Sequence, residues 1–190
     1  MQGINAQIKK SQKRVVFAEG EDPSVLKAAV AFKNSKLGIP ILIGKEEKVK
    51  EQLKNIGLDE NFKIEIVSSK NVEQRKRYTE HLYKKLQRSG MLERECDQLV
   101  RSDRVTWGSC MVACGDADAM VTGGTRHHAA TIEKLNKVVE SRPGEIIFGL
   151  TMLVSKGRTV FVADTNVHDN PTSEQLVEIA ISSTRVARLF

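Results

Sequence analysis

Short apolar runs that alternate with helical patterns are the feature that most constrains the fold of this chain. Apolar runs at residues 15–18, 40–44 and 64–67 are separated by two helical patterns, one beginning at Asp22-Pro23 and one extending to about Asn55. Aspartate is a favoured N-cap residue, and proline is favoured at the first helical position. This alternation predicts an α/β fold in which helices cover both faces of a mostly parallel sheet, giving three α/β/α layers.

The middle of the chain divides this pattern into two lobes. Residues 72–114 are wholly helical in pattern, with breaks near Ser89-Gly90 and Ser102-Asp103, and strand character returns at residues 119–122, 147–154 and 159–163. We therefore predict an N-terminal tail at residues 1–12, a first α/β lobe with a helical segment at residues 13–114, and a second lobe at residues 115–190. The tight turn Lys156-Gly157-Arg158 predicts an antiparallel hairpin in the second lobe.

The C-terminal helix pattern indicates that the second lobe is incomplete. Thr172 and Gln175 have the spacing of a capping box, so a helix is expected to follow them. The chain stops at Phe190 without a glycine, asparagine or proline to end that helix. Because a strand should come next in an alternating fold, we expect the chain to be C-terminally truncated.

Composition excludes several classes of protein. The chain is 40% hydrophobic and 28% charged, with a net charge of +6, which is ordinary for a globular domain. No apolar run approaches the ~20 residues needed to span a membrane, and the polar N-terminus does not resemble a signal peptide. Its three cysteines, an odd number, favour reduced thiols in a cytosolic protein.

A basic helix is predicted between Lys70 and Arg88. Its seven lysines and arginines are a candidate surface for nucleic acid or for the phosphates of a nucleotide cofactor. Aromatic residues make up only 5% of the chain, so bases would find few side chains to stack on. A solvated helix face is therefore the favoured interpretation, and nucleic-acid binding is a distant alternative.

The strongest candidate binding site is the turn that follows residues 119–121. Gly123 and Gly124 allow backbone N–H groups to approach a ligand, and a helix is expected to begin around Thr125. The other candidate ligands are the hydroxyls of Thr122 and Thr125, the guanidinium of Arg126 and the imidazole of His127. The pattern indicates a pocket for phosphate or carboxylate, although a glycine-rich connection with a solvated basic tip has the same pattern.

A second polar cluster follows the strand predicted at residues 159–163. Asp164 is placed to orient a donor or a substrate hydroxyl, and His168 to move a proton, at the sheet edge where α/β proteins bind ligands. Asp169 and Asn170 are better explained as turn formers or helix caps. The cluster lacks metal-ligand spacing, and the sequence offers no fourth zinc ligand to join Cys96, Cys110 and Cys114, so we predict no metal site.

Four segments taken in order resemble the phosphate acetyl/butyryltransferase family. They are RVVFAEGED at residues 14–22, LYKKLQRSG at 82–90, GDADAMVTGGTR at 115–126 and GRTVFVAD at 157–164. The resemblance is strongest to the phosphotransacetylase-like C-terminal domain of bacterial NADP-dependent malic enzymes. The chain also lacks a Walker A loop, G-x-G-x-x-G and G-x-S-x-G, so other nucleotide-binding and serine-hydrolase classes have no motif in their favour.

The resemblance implies a two-lobed fold related to isocitrate and isopropylmalate dehydrogenases, usually as a homodimer, with the site in the cleft between the lobes. The implied reaction moves an acetyl group between coenzyme A and phosphate, so acetyl-CoA, phosphate and acetyl phosphate are the expected ligands. No covalently bound cofactor is expected. Residues 122–127 and Asp164 suit such a site, and Arg88 belongs to the helix expected to meet the phosphates of coenzyme A.

The chain also departs from the family pattern. The resemblance implies a catalytic Ser-Arg pair and an aspartate from a segment that would lie beyond Phe190, so the catalytic residues are unknown here. It also implies arginines where this chain has Leu86 and Glu133. We therefore expect a domain that binds acetyl-CoA and phosphate but is weak or inactive as an acyltransferase. The alternatives are an active enzyme completed by a separate chain, and an acetyl-CoA-sensing module that acts with a malic enzyme catalytic domain.

Overall fold

The computed structural model describes residue 8, residues 11–58 and residues 62–190, and these residues form two units that divide between residues 139 and 140. Most of the predicted N-terminal tail lies outside the described residues. No helix in the described part of the chain combines the length and the apolar character needed to cross a membrane.

The first unit contains a four-stranded parallel sheet in the order β3-β2-β1-β4. Among the described residues, six helices and one 3₁₀ turn, Gln87–Ser89, connect and cover its strands. The strands are β1 (Lys13–Phe17), β2 (Gly38–Ile43), β3 (Glu65–Val67) and β4 (Ala119–Val121). The helices are α1 (Pro23–Asn34), α2 (Glu46–Asn55), α3 (Val72–Leu86), α4 (Glu93–Ser102), α5 (Arg104–Ala113) and α6 (His128–Val138).

Successive apolar side chains of the central strands point to opposite faces of the sheet, and helices cover both faces, which produces the three predicted layers. Val16 and Ile41 contribute to a core cluster that also contains residues of α3, α4, α5 and α6. Their neighbours Phe17 and Leu42 pack on the opposite face with residues of α1 and α2. Because successive side chains of a strand point to opposite faces, continuous apolar strands bury both sides of the sheet. The α/β class and the mostly parallel sheet are therefore confirmed.

The boundary between the units differs from the predicted one at residues 114 and 115. Strand β4 pairs in parallel with β1, with Val15 opposite Ala119 and Phe17 opposite Val121. Helix α6 then packs beside α5, and Val138 is buried in the same core cluster as Val16. The residues expected to open the second lobe thus complete the first, and no local sequence pattern reports this long-range strand pairing.

The second unit contains an antiparallel hairpin and one helix. Strands β5 (Leu150–Ser155) and β6 (Arg158–Ala163) are joined by Lys156 and Gly157, which both have positive φ angles. This is the predicted tight turn. Strand β5 begins at Leu150, later than predicted, and the N–H of the preceding Gly149 donates to the Asp164 carboxylate. Helix α7 (Ser173–Ala187) has the predicted capping box, in which Thr172 and Gln175 exchange hydrogen bonds.

Candidate functional site

The candidate anion turn lies at the carboxyl edge of the parallel sheet, directly after β4. In the sheet order, β2 lies on one side of β1 and β4 lies on the other, so the strand order reverses between β1 and β4. Open α/β sheets bind ligands in the crevice at such a reversal. The structure therefore places Thr122, Gly123, Gly124, Thr125 and Arg126 together where the fold favours a ligand.

The backbone donors of this turn are already engaged by a carboxylate of the chain itself. Glu19, which follows β1 and is 5% exposed, accepts hydrogen bonds from the N–H groups of Gly124 (3.1 Å) and Thr125 (3.2 Å). It also accepts a 2.9 Å hydrogen bond from the Thr125 hydroxyl. Two backbone donors and one hydroxyl of the turn are thus occupied by a carboxylate of the same chain.

Arg126 is bound to a second carboxylate, that of Asp103. The Arg126 Nη1 and Lys134 Nζ atoms lie 2.6 and 2.7 Å from Asp103 Oδ1, while Asp103 Oδ2 caps α5 through the N–H and hydroxyl of Thr106. Burial alone would raise the pKa of Asp103, but hydrogen bonds from Lys134 and Thr106 and the charge of Arg126 together hold it below its usual value. Asp103 is therefore a buried anion that organises the cations beside the turn.

Two groups of the turn retain capacity for a ligand. The guanidinium of Arg126 has five N–H donors, and its side chain is about one-third exposed. The Thr122 hydroxyl is buried and has no hydrogen-bond partner among the described residues. His127 is the N-cap residue of α6, but its side chain does not cap the helix. Because α6 begins at His128 rather than near Thr125, the two glycines lie in the loop that precedes the helix.

Arg88 does not join the turn. It is an exposed residue of the 3₁₀ turn that follows α3, and Lys85, three residues earlier, donates to the Val139 carbonyl beyond the end of α6. The Gly-Gly turn lies before the start of α6. Arg88 thus follows a residue bound near the C-terminal end of α6, whereas the Gly-Gly turn precedes the N-terminal end of α6. The 11 residues of α6 span about 16 Å at 1.5 Å per residue, and this length separates Arg88 from the turn.

Asp164 forms a separate cluster in the second unit. Its carboxylate accepts hydrogen bonds from the N–H groups of Gly149 (2.5 Å) and His168 (2.9 Å), and it lies 2.6 Å from His168 Nδ1. Burial alone would raise the pKa of Asp164, but these hydrogen bonds hold it below its usual value. These contacts fix the position of the His168 ring beside the Asp164 carboxylate.

Glu19 and Asp103 are the residues that sequence reasoning missed. Glu19 accepts a hydrogen bond from Gly124, which is 105 positions away. Asp103 binds Arg126 and Lys134, which are 23 and 31 positions away. No sequence motif reports contacts over such distances. One signal was available for Glu19, because it follows β1 and the carboxyl ends of parallel strands meet at one edge.

No group of three or more His, Cys, Asp or Glu side chains among residues 8, 11–58 and 62–190 is placed to hold a metal ion.

Comparison with known proteins gives a consistent family assignment. The model of the family described as phosphate acetyl/butaryl transferase matches residues 1–190. An NADP-dependent malic enzyme of Rhizobium meliloti is 39% identical over 189 residues, which are 99% of this chain and 25% of that protein. A phosphate acetyltransferase of Helicobacter pylori is 31% identical over 98% of this chain and 36% of that protein.

The solved structures agree in fold. A phosphotransacetylase from Streptococcus pyogenes superposes with a TM-score of 0.87 at 24% identity, covering 98% of this chain and 57% of that one. The chain thus spans about a quarter to a third of the curated relatives named here and little more than half of this solved structure. Since the family model matches the chain from end to end, the chain belongs to the phosphate acetyl/butaryl transferase family.

Proposed function

We propose that this chain binds acetyl-CoA and phosphate or acetyl phosphate, the ligands of acetyl transfer between coenzyme A and phosphate, and that its own transfer activity is weak. The observation that carries the proposal is the family match over residues 1–190. The geometry of the Gly-Gly turn supports it, because the turn lies at the reversal of strand order and already holds a carboxylate.

Phosphate binding at the turn is assigned to side chains rather than to the glycine N–H groups. Glu19 occupies the N–H groups of Gly124 and Thr125, whereas Arg126 retains unused donors and Thr122 has a buried hydroxyl without a partner among the described residues. A guanidinium can hold a phosphate through two parallel hydrogen bonds. In the reaction the coenzyme A thiolate would attack the carbonyl carbon of acetyl phosphate, and phosphate would leave towards this positive charge.

Weak transfer activity is proposed because two implied cations are missing. The resemblance implies arginines at the positions of Leu86 and Glu133. Leu86 instead packs against the core cluster under α3, and the Glu133 carboxylate pairs with Lys137 at 2.7 Å. Leu86 supplies no charge and Glu133 supplies a negative charge. The positive electrostatic potential that would stabilise a phosphate dianion is therefore weaker than with arginines at both positions.

Coenzyme A or acetyl-CoA should bind to the purified chain more tightly than NADP. The expectation follows from the family assignment and from the absence of a G-x-G-x-x-G turn, which would cradle a dinucleotide pyrophosphate. Isothermal titration calorimetry with each ligand under the same salt conditions provides the measurement. NADP binding of equal or greater affinity would contradict the assignment.

Arg126→Ala should weaken binding of phosphate or acetyl phosphate by about 10- to 150-fold. The loss corresponds to one charge-assisted hydrogen bond of roughly 1.5–3 kcal/mol. Arg142→Ala removes the same charge in the second unit and is the matched control, for which little change is expected. If the two substitutions have equally small effects on calorimetric affinity, Arg126 is a surface residue and not a phosphate ligand.

An acetyl-CoA-sensing module of a malic enzyme is a second candidate function. It is favoured by the 39% identity to the Rhizobium meliloti NADP-dependent malic enzyme, which extends over 99% of this chain. A sensor binds acetyl-CoA without turnover and changes the activity of a malic enzyme domain. Acetyl-CoA binding with no phosphate requirement would favour this role, whereas acetyl-CoA binding that depends on bound phosphate would favour transfer.

Nucleic-acid binding receives no support from the basic helix α3. Three of its cations have partners within the protein: Arg75 pairs with Asp97, Arg77 with Asp116, and Lys85 donates to two backbone carbonyls near the end of α6. These contacts tie α3 to its neighbours. A helix whose charges serve internal contacts offers fewer of them to a phosphate backbone.

A further inference from the structure

A cavity with both apolar and charged lining residues lies at the same edge of the sheet, after the ends of β2 and β3. Its volume is about 200 Å³, and its walls include Lys45 after β2, Ser68 and Ser69 after β3, and Arg101 and Arg104 where α4 gives way to α5. All of its lining residues belong to the first unit. The cavity is smaller than the about 300–1,000 Å³ typical of sites for drug-sized ligands, so it suits a small polar group rather than a whole nucleotide.

The two carboxylates in the cavity wall are already neutralised. Glu21 Oε1 lies 2.7 Å from Arg104 Nη2 and accepts a 2.8 Å hydrogen bond from the Lys45 N–H. Burial alone would raise the pKa of Glu21, but these contacts hold it below its usual value, so it is ionised at neutral pH. Asp103 is likewise bound to two cations, Arg126 and Lys134.

The remaining charge in the wall is positive and uncommitted. The side chains of Lys45 and Arg101 are exposed, and neither forms an ion pair within the part of the chain that the structure describes. Helices α2 and α5 both begin beside cavity residues, Lys45 and Asp103, whereas only α4 ends there. The cavity therefore carries an excess of positive potential.

The wall also has hydrogen-bond donors that lack partners. Within the described residues, the hydroxyls of Ser68 and Ser69 make no hydrogen bond. Trp107, which is 1% exposed, also lines the cavity, and its indole Nε1 is buried without a partner in that same part of the chain. Leaving such a donor unsatisfied costs about 1–3 kcal/mol, and oxygen atoms held in the cavity would provide acceptors.

We propose that this cavity is a second anion site, which binds the phosphate group of inorganic phosphate or of a small phosphate ester. Lys45 and Arg101 neutralise the dianion, and the two serine hydroxyls donate hydrogen bonds to its oxygens. The site is separate from the Gly-Gly turn, and it requires neither acetyl transfer nor a contribution from the second unit. Asp103, which lines the cavity and binds Arg126, connects the two sites.

Trp107 provides a direct measurement, because it lines the cavity and is the only tryptophan in the chain. Titration with inorganic phosphate at constant ionic strength should give a saturable change in tryptophan fluorescence, while chloride should give none. Lys45→Ala and Arg101→Ala should each raise the apparent Kd by about tenfold or more, the loss of one charge-assisted contact. The matched controls Lys27→Ala and Arg94→Ala remove exposed charges from α1 and α4 outside the cavity, and they should leave the Kd unchanged.

Parallel titrations identify the source of the phosphate group. If acetyl phosphate or coenzyme A gives the same fluorescence change and competes with phosphate, the site holds a phosphate of that larger ligand. If only inorganic phosphate responds, the site is for the free anion. Either result supports the proposal, and a phosphate response that persists when acetyl-CoA does not bind separates this site from the proposed function. Absence of any fluorescence response, or equal losses in the controls, would overturn it.

Discussion

The purified chain of 190 residues should show no more than trace phosphate acetyltransferase activity. A site that holds a thiolate beside a phosphate dianion depends on preorganised positive charge, and losing one such donor commonly costs about 10²–10³ in rate. Here Leu86 and Glu133 stand where the resemblance implies arginines. These losses are not additive, but together they should leave little turnover.

Arsenate-dependent release of coenzyme A from acetyl-CoA is a direct assay of this expectation. Acetyl-CoA binding measured on the same preparation is the control, because it separates a folded domain with weak chemistry from an unfolded one. Turnover within the ordinary enzyme range of about 1–10³ per second would show that these residues already form a working site.

Local structure in this chain is predictable because it depends on local chemistry. Asp22 accepts hydrogen bonds from the N–H groups of Ser24 and Val25, and Thr172 exchanges hydrogen bonds with Gln175, as their spacing predicts. The hairpin turn at Lys156-Gly157 is equally local. Each of these features is decided by residues within four positions, so a single sequence is sufficient to identify them.

Long-range features could not be predicted in the same way. The pairing of β4 with β1 moved the division between the units, although residues 119–121 were correctly expected to be a strand. The sequence predicts an external anion at the Gly-Gly turn, whereas in the structure two of its N–H groups donate to Glu19, about a hundred positions away. A single sequence can therefore indicate candidate donors for an anion, whereas the fold determines which carboxylate of the chain lies within hydrogen-bond distance of them.

Asp103→Ala should destabilise the chain by about 3 kcal/mol. Its carboxylate is 7% exposed, caps α5 and binds both Arg126 and Lys134, so its removal uncaps a helix and leaves two cations without their partner. Breaking a buried ion pair typically costs roughly 3–5 kcal/mol. The lower value is expected here because Arg126 and Lys134 are 35% and 29% exposed and water can solvate them. Urea-induced unfolding monitored by circular dichroism provides the measurement.

Asp103→Asn separates the charge of Asp103 from its capping role. The amide oxygen still accepts hydrogen bonds from Thr106, so this variant should be more stable than Asp103→Ala and less stable than the wild type. The pKa of Asp103 is lower in the folded state than in the unfolded state. The ionised carboxylate therefore stabilises the folded state at pH values above the unfolded-state pKa, and this stabilisation is lost as the pH falls through the folded-state pKa. The difference between wild type and Asp103→Asn should therefore be large at pH 7 and shrink in strong acid. A difference that does not change with pH would mean that Asp103 stabilises the domain through capping alone.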